Sequence, residues 1–315
     1  MSCKPDLLRI PINSKAIGSE INIEYMSFIS KDTFFVCGGI KNIKGEIYRT
    51  TDAGLHWEKV YSCPDKINAL CFSKNKLEAI AVGDSSHIQK SYDGGLTWPV
   101  KKLGSEQMRE WKNDQSSLKR ICFWDDIGAI AISSDNREKG NLYFSSNNGE
   151  NWSDSQSKNG FRDWWIFNND SIFAVGYGII AKIEKERLSY KPKLTVLPFD
   201  GDYFTGIWFT SRYIGYLSGF DGGIYKTENG GKTWKTIIKK NQVLKKRIHF
   251  NDILFISDKI GYVVGENGLC MKTINEGDSW IEVPFASNKS LLGLFYNNGK
   301  VYITSEDGVY FEIEE

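Results

Sequence analysis

Gly261-Tyr262-Val263-Val264-Gly265-Glu266-Asn267-Gly268-Leu269-Cys270-Met271-Lys272-Thr273-Ile274-Asn275-Glu276-Gly277-Asp278-Ser279-Trp280 reads as an apolar strand ending in glycine, a short turn, a second strand, and a polar turn closed by tryptophan. Its last eight residues follow the pattern Ser/Thr-x-Asp/Asn-x-Gly-x-x-Trp. The same pattern recurs as Thr50-Asp52-Gly54-Trp57, Ser91-Asp93-Gly95-Trp98, Ser145-Asn147-Gly149-Trp152 and Thr227-Asn229-Gly231-Trp234, with Thr273-Asn275-Gly277-Trp280 as the last copy. Spacing of roughly 40 to 50 residues is the mark of a repeat fold. Each copy is turn chemistry. The Asp or Asn oxygen accepts from backbone N–H groups two residues on. The glycine permits positive φ. The indole supplies an apolar face and one N–H donor. Asn replaces Asp in the last three copies, which suits a hydrogen-bond acceptor and does not suit a catalytic acid.

Outward from each turn, a short strand precedes it, and an apolar strand ending in Gly or Ser precedes that. The apolar strands end at Gly38, Gly83, Ser133, Gly176, Gly219, Gly265 and Ser305. There are seven of them, two more than the turns. In the fourth repeat Ile183, Lys185, Arg187 and Tyr190 stand where Thr227, Asn229, Gly231 and Trp234 stand in the fifth, so the turn has decayed there. In the seventh the chain ends before any turn. The last repeat therefore has three strands, and residues 7–12 form a leftover strand at the start. The expected fold is all-β: a seven-bladed β-propeller in a single domain, with the N-terminal strand closing the last blade. The expected blades are 22–62, 67–101, 118–153, 162–197, 205–238, 250–283, and 291–313 with 7–12.

A chain of 315 residues with net charge +1 carries no global field toward nucleic acid or membrane. Neither nucleic acid nor membrane insertion is expected, and a monomer is. The six cysteines form no C-x-x-C pair, and the three histidines (His56, His87, His249) have no metal-binding spacing. No metal and no cofactor are expected. No signal peptide or long apolar run is visible, which favours a cytoplasmic protein, exported if the N-terminus was trimmed.

The longer insertions, 39–46, 102–117, 133–141, 154–161 and 238–249, join second to third strands or one blade to the next. They should crowd one face, and they lean basic. Arg109, Trp111, Lys112, Arg137, Lys245, Lys246 and Arg247 are the candidate partner-binding residues there, with Trp111 as an aromatic anchor. An acidic protein partner is expected, its identity open.

The four-point turn resembles the Asp-box, or bacterial neuraminidase repeat, which implies a structural hairpin turn within each blade. That resemblance raises a sialidase-like glycoside hydrolase or carbohydrate-binding propeller as the alternative function. Arg9-Ile10-Pro11 is similar to the motif whose arginine holds a substrate carboxylate in sialidases. Sialidases have six blades, however, and the strand count puts Arg9 on the outermost strand of the closing blade. The carboxylate pairs Asp125-Asp126 and Glu184/Glu186 fall in turn positions. No catalytic residue is assigned. The longer unit in 215–234 and 261–280 resembles the photosystem II stability/assembly factor-like propellers. That resemblance implies a non-catalytic scaffold for protein interaction and assembly.

Overall fold

The computed structural model describes residues 10–99, 116–135, 139–168, 171–184, 193–197, 203–239, 249–285 and 287–315. It is a seven-bladed β-propeller by fold, nearly all β, built from seven antiparallel sheets. The chain divides into two compact units. One is Met1–Ala16 with Thr205–Glu315, and the other is Ile17–Phe204.

The smaller unit begins with β1 (Asn13–Ala16). The larger unit holds the next four sheets. The first is β2 (Asn22–Phe28), β3 (Phe34–Ile40), β4 (Lys44–Thr50) and β5 (Glu58–Cys63). The second is β6 (Ile67–Phe72), β7 (Ala79–Gly83) and β8 (Ile88–Ser91), three-stranded among the described residues. The third is β9 (Ser117–Phe123), β10 (Ala129–Ser134), β11 (Gly140–Ser145) and β12 (Ser153–Ser157). The fourth is β13 (Phe161–Asn168), β14 (Ser171–Gly176), β15 (Ile179–Glu184) and β16 (Lys193–Val196). The remaining sheets are β17 (Phe204–Phe209), β18 (Gly215–Gly219), β19 (Ile224–Thr227) and β20 (Lys235–Ile238), then β21 (Phe250–Phe255), β22 (Gly261–Gly265), β23 (Cys270–Thr273) and β24 (Ile281–Glu282). Last come β25 (Leu291–Asn297), β26 (Lys300–Ser305) and β27 (Val309–Glu314), with β1 paired antiparallel to β27.

The strand that pairs with β27 is thus Asn13–Ala16; of the expected strand 7–12, residues 10–12 are described and precede it unpaired. Pro11 has no N–H to give a ladder. Ile10 and Ile12 instead pack, partly buried, against the apolar core between the last two sheets. The supposed loop 39–46 is also mostly strand, because β3 and β4 pair from Phe34↔Thr50 out to Ile40↔Lys44. Likewise 154–161 is largely β12 and the start of β13.

Second strands such as β7, β18 and β22 are buried at every position. Both of their faces are covered, so they read as continuous apolar runs and not as alternation. The fourth strands are mostly exposed. Between sheets lie separate cores: Ile80, Val82 and Ile88 of the second sheet meet Leu118, Ile121 and Tyr143 of the third.

The turn that carries the four-point pattern, after β4, β8, β11, β19 and β23, has one geometry. The Ser or Thr hydroxyl donates to the Asp or Asn oxygen, at 2.8 Å in Thr50–Asp52 and 2.9 Å in Thr273–Asn275. It accepts from the glycine N–H at 2.9 to 3.0 Å in all five copies. The Asp or Asn oxygen accepts from the N–H four residues on, for example His56 to Asp52 at 2.9 Å and Ser279 to Asn275 at 3.0 Å. The expected bond two residues on belongs to the hydroxyl, as in Asp52 N–H to Thr50 Oγ1 at 3.3 Å. The glycine has two reasons to be glycine. Its φ lies between 77° and 82° in every copy. In addition, a Cβ on Gly95, Gly149 or Gly277 would stand 2.5 to 2.9 Å from Phe35, Ile80 or Tyr216 on the second strand of the preceding blade.

A lysine directly before the hydroxyl residue ties consecutive sheets together. Lys90 reaches Glu78 at 2.8 Å and Glu150 at 3.0 Å. Lys226 reaches Asp278 at 3.4 Å, and Lys272 reaches Glu315 at 2.7 Å.

Candidate functional site

The first strand of a blade carries one extra residue near its start. In β2 the register jumps from Ile23↔Gly38 to Tyr25↔Cys37, which leaves Glu24 unpaired. The same jump leaves out Asn68 in β6, Lys119 in β9 and Arg162 in β13. It also leaves out Asn251 in β21 and Leu292 in β25. Such β-bulges re-aim a side chain. A close backbone crossing accompanies them. A Cβ on Gly38, Gly83, Gly176 or Gly265 would stand 1.8 to 2.1 Å from the carbonyl oxygen of the residue just before or at the start of the first strand. This is why the second strand so often ends in glycine.

In the larger unit the bulged strands β9 and β13, with segments beside β3, β6, β7 and β10, line a cavity of about 400 Å³. Lys119, Arg162, Lys66 and Lys41 supply positive charge to its wall, and Asp84 and Asp135 supply negative charge. Tyr177 and Tyr203 also line it, with stacked rings 3.8 Å apart. The residues come from loops after second strands, which sequence spacing assigned to one face together with the blade-to-blade loops, and from within or just before first strands.

The charges are arranged unevenly. Lys66 Nζ lies 3.0 Å from Glu24. Burial works against the Glu24 carboxylate, yet Lys66, Arg162 and Lys119 together hold its pKa below the usual value. Asn68 Nδ2 donates to Asp84 Oδ1 at 3.0 Å, and the Ser117 hydroxyl donates to the same oxygen. Against the cost of burial, these two bonds lower the Asp84 pKa. Lys119 Nζ donates to Ser117 Oγ at 2.6 Å. Burial first, then the repulsion of Arg162 and Lys66, pushes the Lys119 pKa down to about 7. Arg162 has a buried Nε with no hydrogen-bond partner.

The partner-binding residues expected from sequence, Arg109, Trp111, Lys112, Arg137, Lys245, Lys246 and Arg247, lie outside the described residues. So do Arg9, Lys185, Glu186, Arg187 and Tyr190. Asp125 caps its own turn, accepting from Ile127 N–H at 3.0 Å. Glu184 pairs with Lys182 at 2.6 Å. His56 is exposed and sits 2.6 Å from Asp52 within the first turn. Among the described residues no three His, Cys, Asp or Glu side chains are grouped to hold a metal ion, and no helix is long and apolar enough to cross a membrane. Among the described residues the cavity wall holds one arginine and no glutamate, and so no arginine triad and no Tyr–Glu pair.

Sequence reading missed Glu24, Lys66, Asp84, Lys119, Arg162, Tyr177 and Tyr203. One signal was present: Ile67-Asn68-Ala69, Leu118-Lys119-Arg120 and Phe161-Arg162-Asp163 each place a polar residue right after the first apolar residue of the first strand.

Comparison with known proteins agrees with this architecture. Residues 187–307 match the family described as photosynthesis system II assembly factor YCF48. No curated protein matches. A solved structure of YCF48 bound to a D1 peptide is similar over 99% of this chain and 97% of that one, with 16% identity and a TM-score of 0.74. YCF48 from Cyanidioschyzon merolae is similar over 96% of this chain and 98% of that one, with 14% identity and a TM-score of 0.72. The WD40 propeller domain of Doa1 is similar over 96% of this chain and 97% of that one, with 12% identity and a TM-score of 0.66. Residues 187–307 thus match the photosystem II assembly factor family, and the chain as a whole shares the seven-bladed fold of the YCF48 structures.

Proposed function

We propose that the protein is a non-catalytic scaffold for protein assembly, and that the basic cavity of its larger unit receives an acidic segment of the partner. The observation that carries this is the convergence of Lys41, Lys66, Lys119 and Arg162 on one cavity, against Asp84 and Asp135 among the described residues of its wall. Cations fixed on rigid strands draw in and orient acidic chains. Stacked Tyr177 and Tyr203 offer the broad, stiff contact surface that interfaces favour. One protein of similar fold carries a D1 peptide, which supports a peptide-binding role for this scaffold as well. Lys245, Lys246 and Arg247 are further basic residues proposed to contact an acidic partner.

The test is titration of the intact protein with a glutamate-rich peptide and with its lysine-rich counterpart. The glutamate-rich peptide binds more tightly, and Lys41→Glu with Arg162→Glu weakens it by roughly tenfold or more, about 1.4 kcal/mol. Reversal of Lys245, Lys246 and Arg247 to Glu weakens it further. Equal binding of the two peptides, or unchanged affinity in the cavity variant, sinks the reading. Turnover of a fluorogenic sialoside, abolished by Arg9→Ala, would overturn its non-catalytic part.

A further inference from the structure

If the cavity is the recognition centre proposed above, its uncompensated charge names the chemistry it takes. We propose that it is a receptor site for a single tetrahedral oxydianion of the phosphate or sulfate type, held between Lys119 and Arg162. Lys66 is already matched by Glu24 at 3.0 Å. Asp84 is committed to Asn68 and Ser117. Neither Arg162 nor Lys119 makes an ion pair among the described residues, although both line the cavity. The buried Arg162 Nε–H has no acceptor at all. A buried donor left without an acceptor is costly, and a charged one more so. A single carboxylate would match one of the two cations and leave the other uncompensated. A dianion matches both, and its oxygens suit the planar donor fork of arginine and the point charge of lysine. A cavity of about 400 Å³ has room for such an anion together with the group that bears it.

The groups facing Lys119 are Arg162 on β13, Lys66 before β6, Asp84 after β7 and Glu24 on β2, with Lys41 and Asp135 also in the wall. Burial and the two nearest cations disfavour its proton. A dianion alongside favours it, so binding takes up a proton near neutral pH. Affinity falls as pH rises above 7, because the neutral amine no longer attracts the anion.

Isothermal titration of the intact protein with sodium sulfate tests this, at constant ionic strength set with chloride, in two buffers of different ionisation heat. Sulfate stays dianionic throughout, so any proton taken up goes to the protein. One site is expected, with net proton uptake at pH 7.5 and affinity about tenfold weaker at pH 8.5 than at pH 6.5. Lys119→Met abolishes the uptake, and Arg162→Gln weakens binding, while circular dichroism shows both variants folded. Inorganic phosphate and a phosphoserine peptide then separate the sources. Comparable affinities identify a free ion, and a much tighter peptide identifies a modified partner; both support the site. Absence of binding by all three probes overturns it, as does unchanged affinity in Arg162→Gln. A glutamate peptide that binds as tightly as the phosphoserine peptide also overturns it, and leaves the acidic-partner scaffold standing.

Discussion

At the scale of single residues, the hydroxyl is the hinge pin of each turn. Thr273 Oγ1 donates to Asn275 and accepts from Gly277 N–H, and the residue is almost fully buried. Thr273→Val keeps the shape and removes the acceptor, which leaves the glycine N–H unsatisfied. Urea unfolding should show a loss of about 1–3 kcal/mol. Asn275→Asp should cost no more than about 0.5 kcal/mol. The second turn already shows why: Thr97 turns its hydroxyl to donate to Asp93 Oδ2 at 2.6 Å, where Asn229 donates to Thr233 at 2.7 Å. This chemistry was legible in sequence because all its members fall within eight residues. The cavity was not, because Glu24, Lys66, Lys119 and Arg162 stand some forty or more residues apart and meet only once four sheets are placed. A lone Lys119 in an apolar strand gives no sign of its neighbours.

At the scale of strands, third strands are coupled to the next sheet through buried lysines. Lys90 is 7% exposed and answers two carboxylates, Glu78 and Glu150. Removing one partner of a buried pair leaves the other charge desolvated. Glu78 and Glu150 keep a quarter to a third of their side-chain surface in solvent, which moderates the cost. Lys90→Met should therefore destabilise by about 2 kcal/mol. Combined with Glu150→Gln it should cost less than the sum of the two single changes, measured as a double-mutant cycle in urea. Full additivity would mean the tie carries no coupling. Strand identity was legible here from β-branched runs such as Ala79–Gly83. The lengths of the connections were less so, since Lys44-Gly45-Glu46 has the composition of a loop and yet pairs as strand.

For the molecule as a whole, the smaller unit takes its sheets from both ends of the sequence. β1 supplies the outer strand of the last sheet, and Lys15 fixes it to Glu312 at 2.9 Å. Removal of residues 1–16 would bare the N–H and C=O edge of β27, a template for pairing with other chains. The shortened protein should melt at lower temperature and gain mass in light scattering on warming. An unchanged melting temperature would show that β1 contributes nothing to stability. Seven sheets were legible because the repeat states itself again and again. The closing strand was misplaced by a few residues because Asn13–Ala16 is polar and mostly exposed, so hydrophobicity pointed to Leu7–Ile12 instead.

The extra residue in these first strands has a corollary for engineering. Backbone crossings at glycine fix where the bulge stands, whichever side chain it presents. Positions 24, 68, 119 and 162 now read Glu, Asn, Lys and Arg. Lys119 and Arg162, which make no ion pair among the described residues, are therefore the letters to rewrite first if the proposed recognition is to be retargeted, whereas Glu24 and Asn68 are held by Lys66 and Asp84.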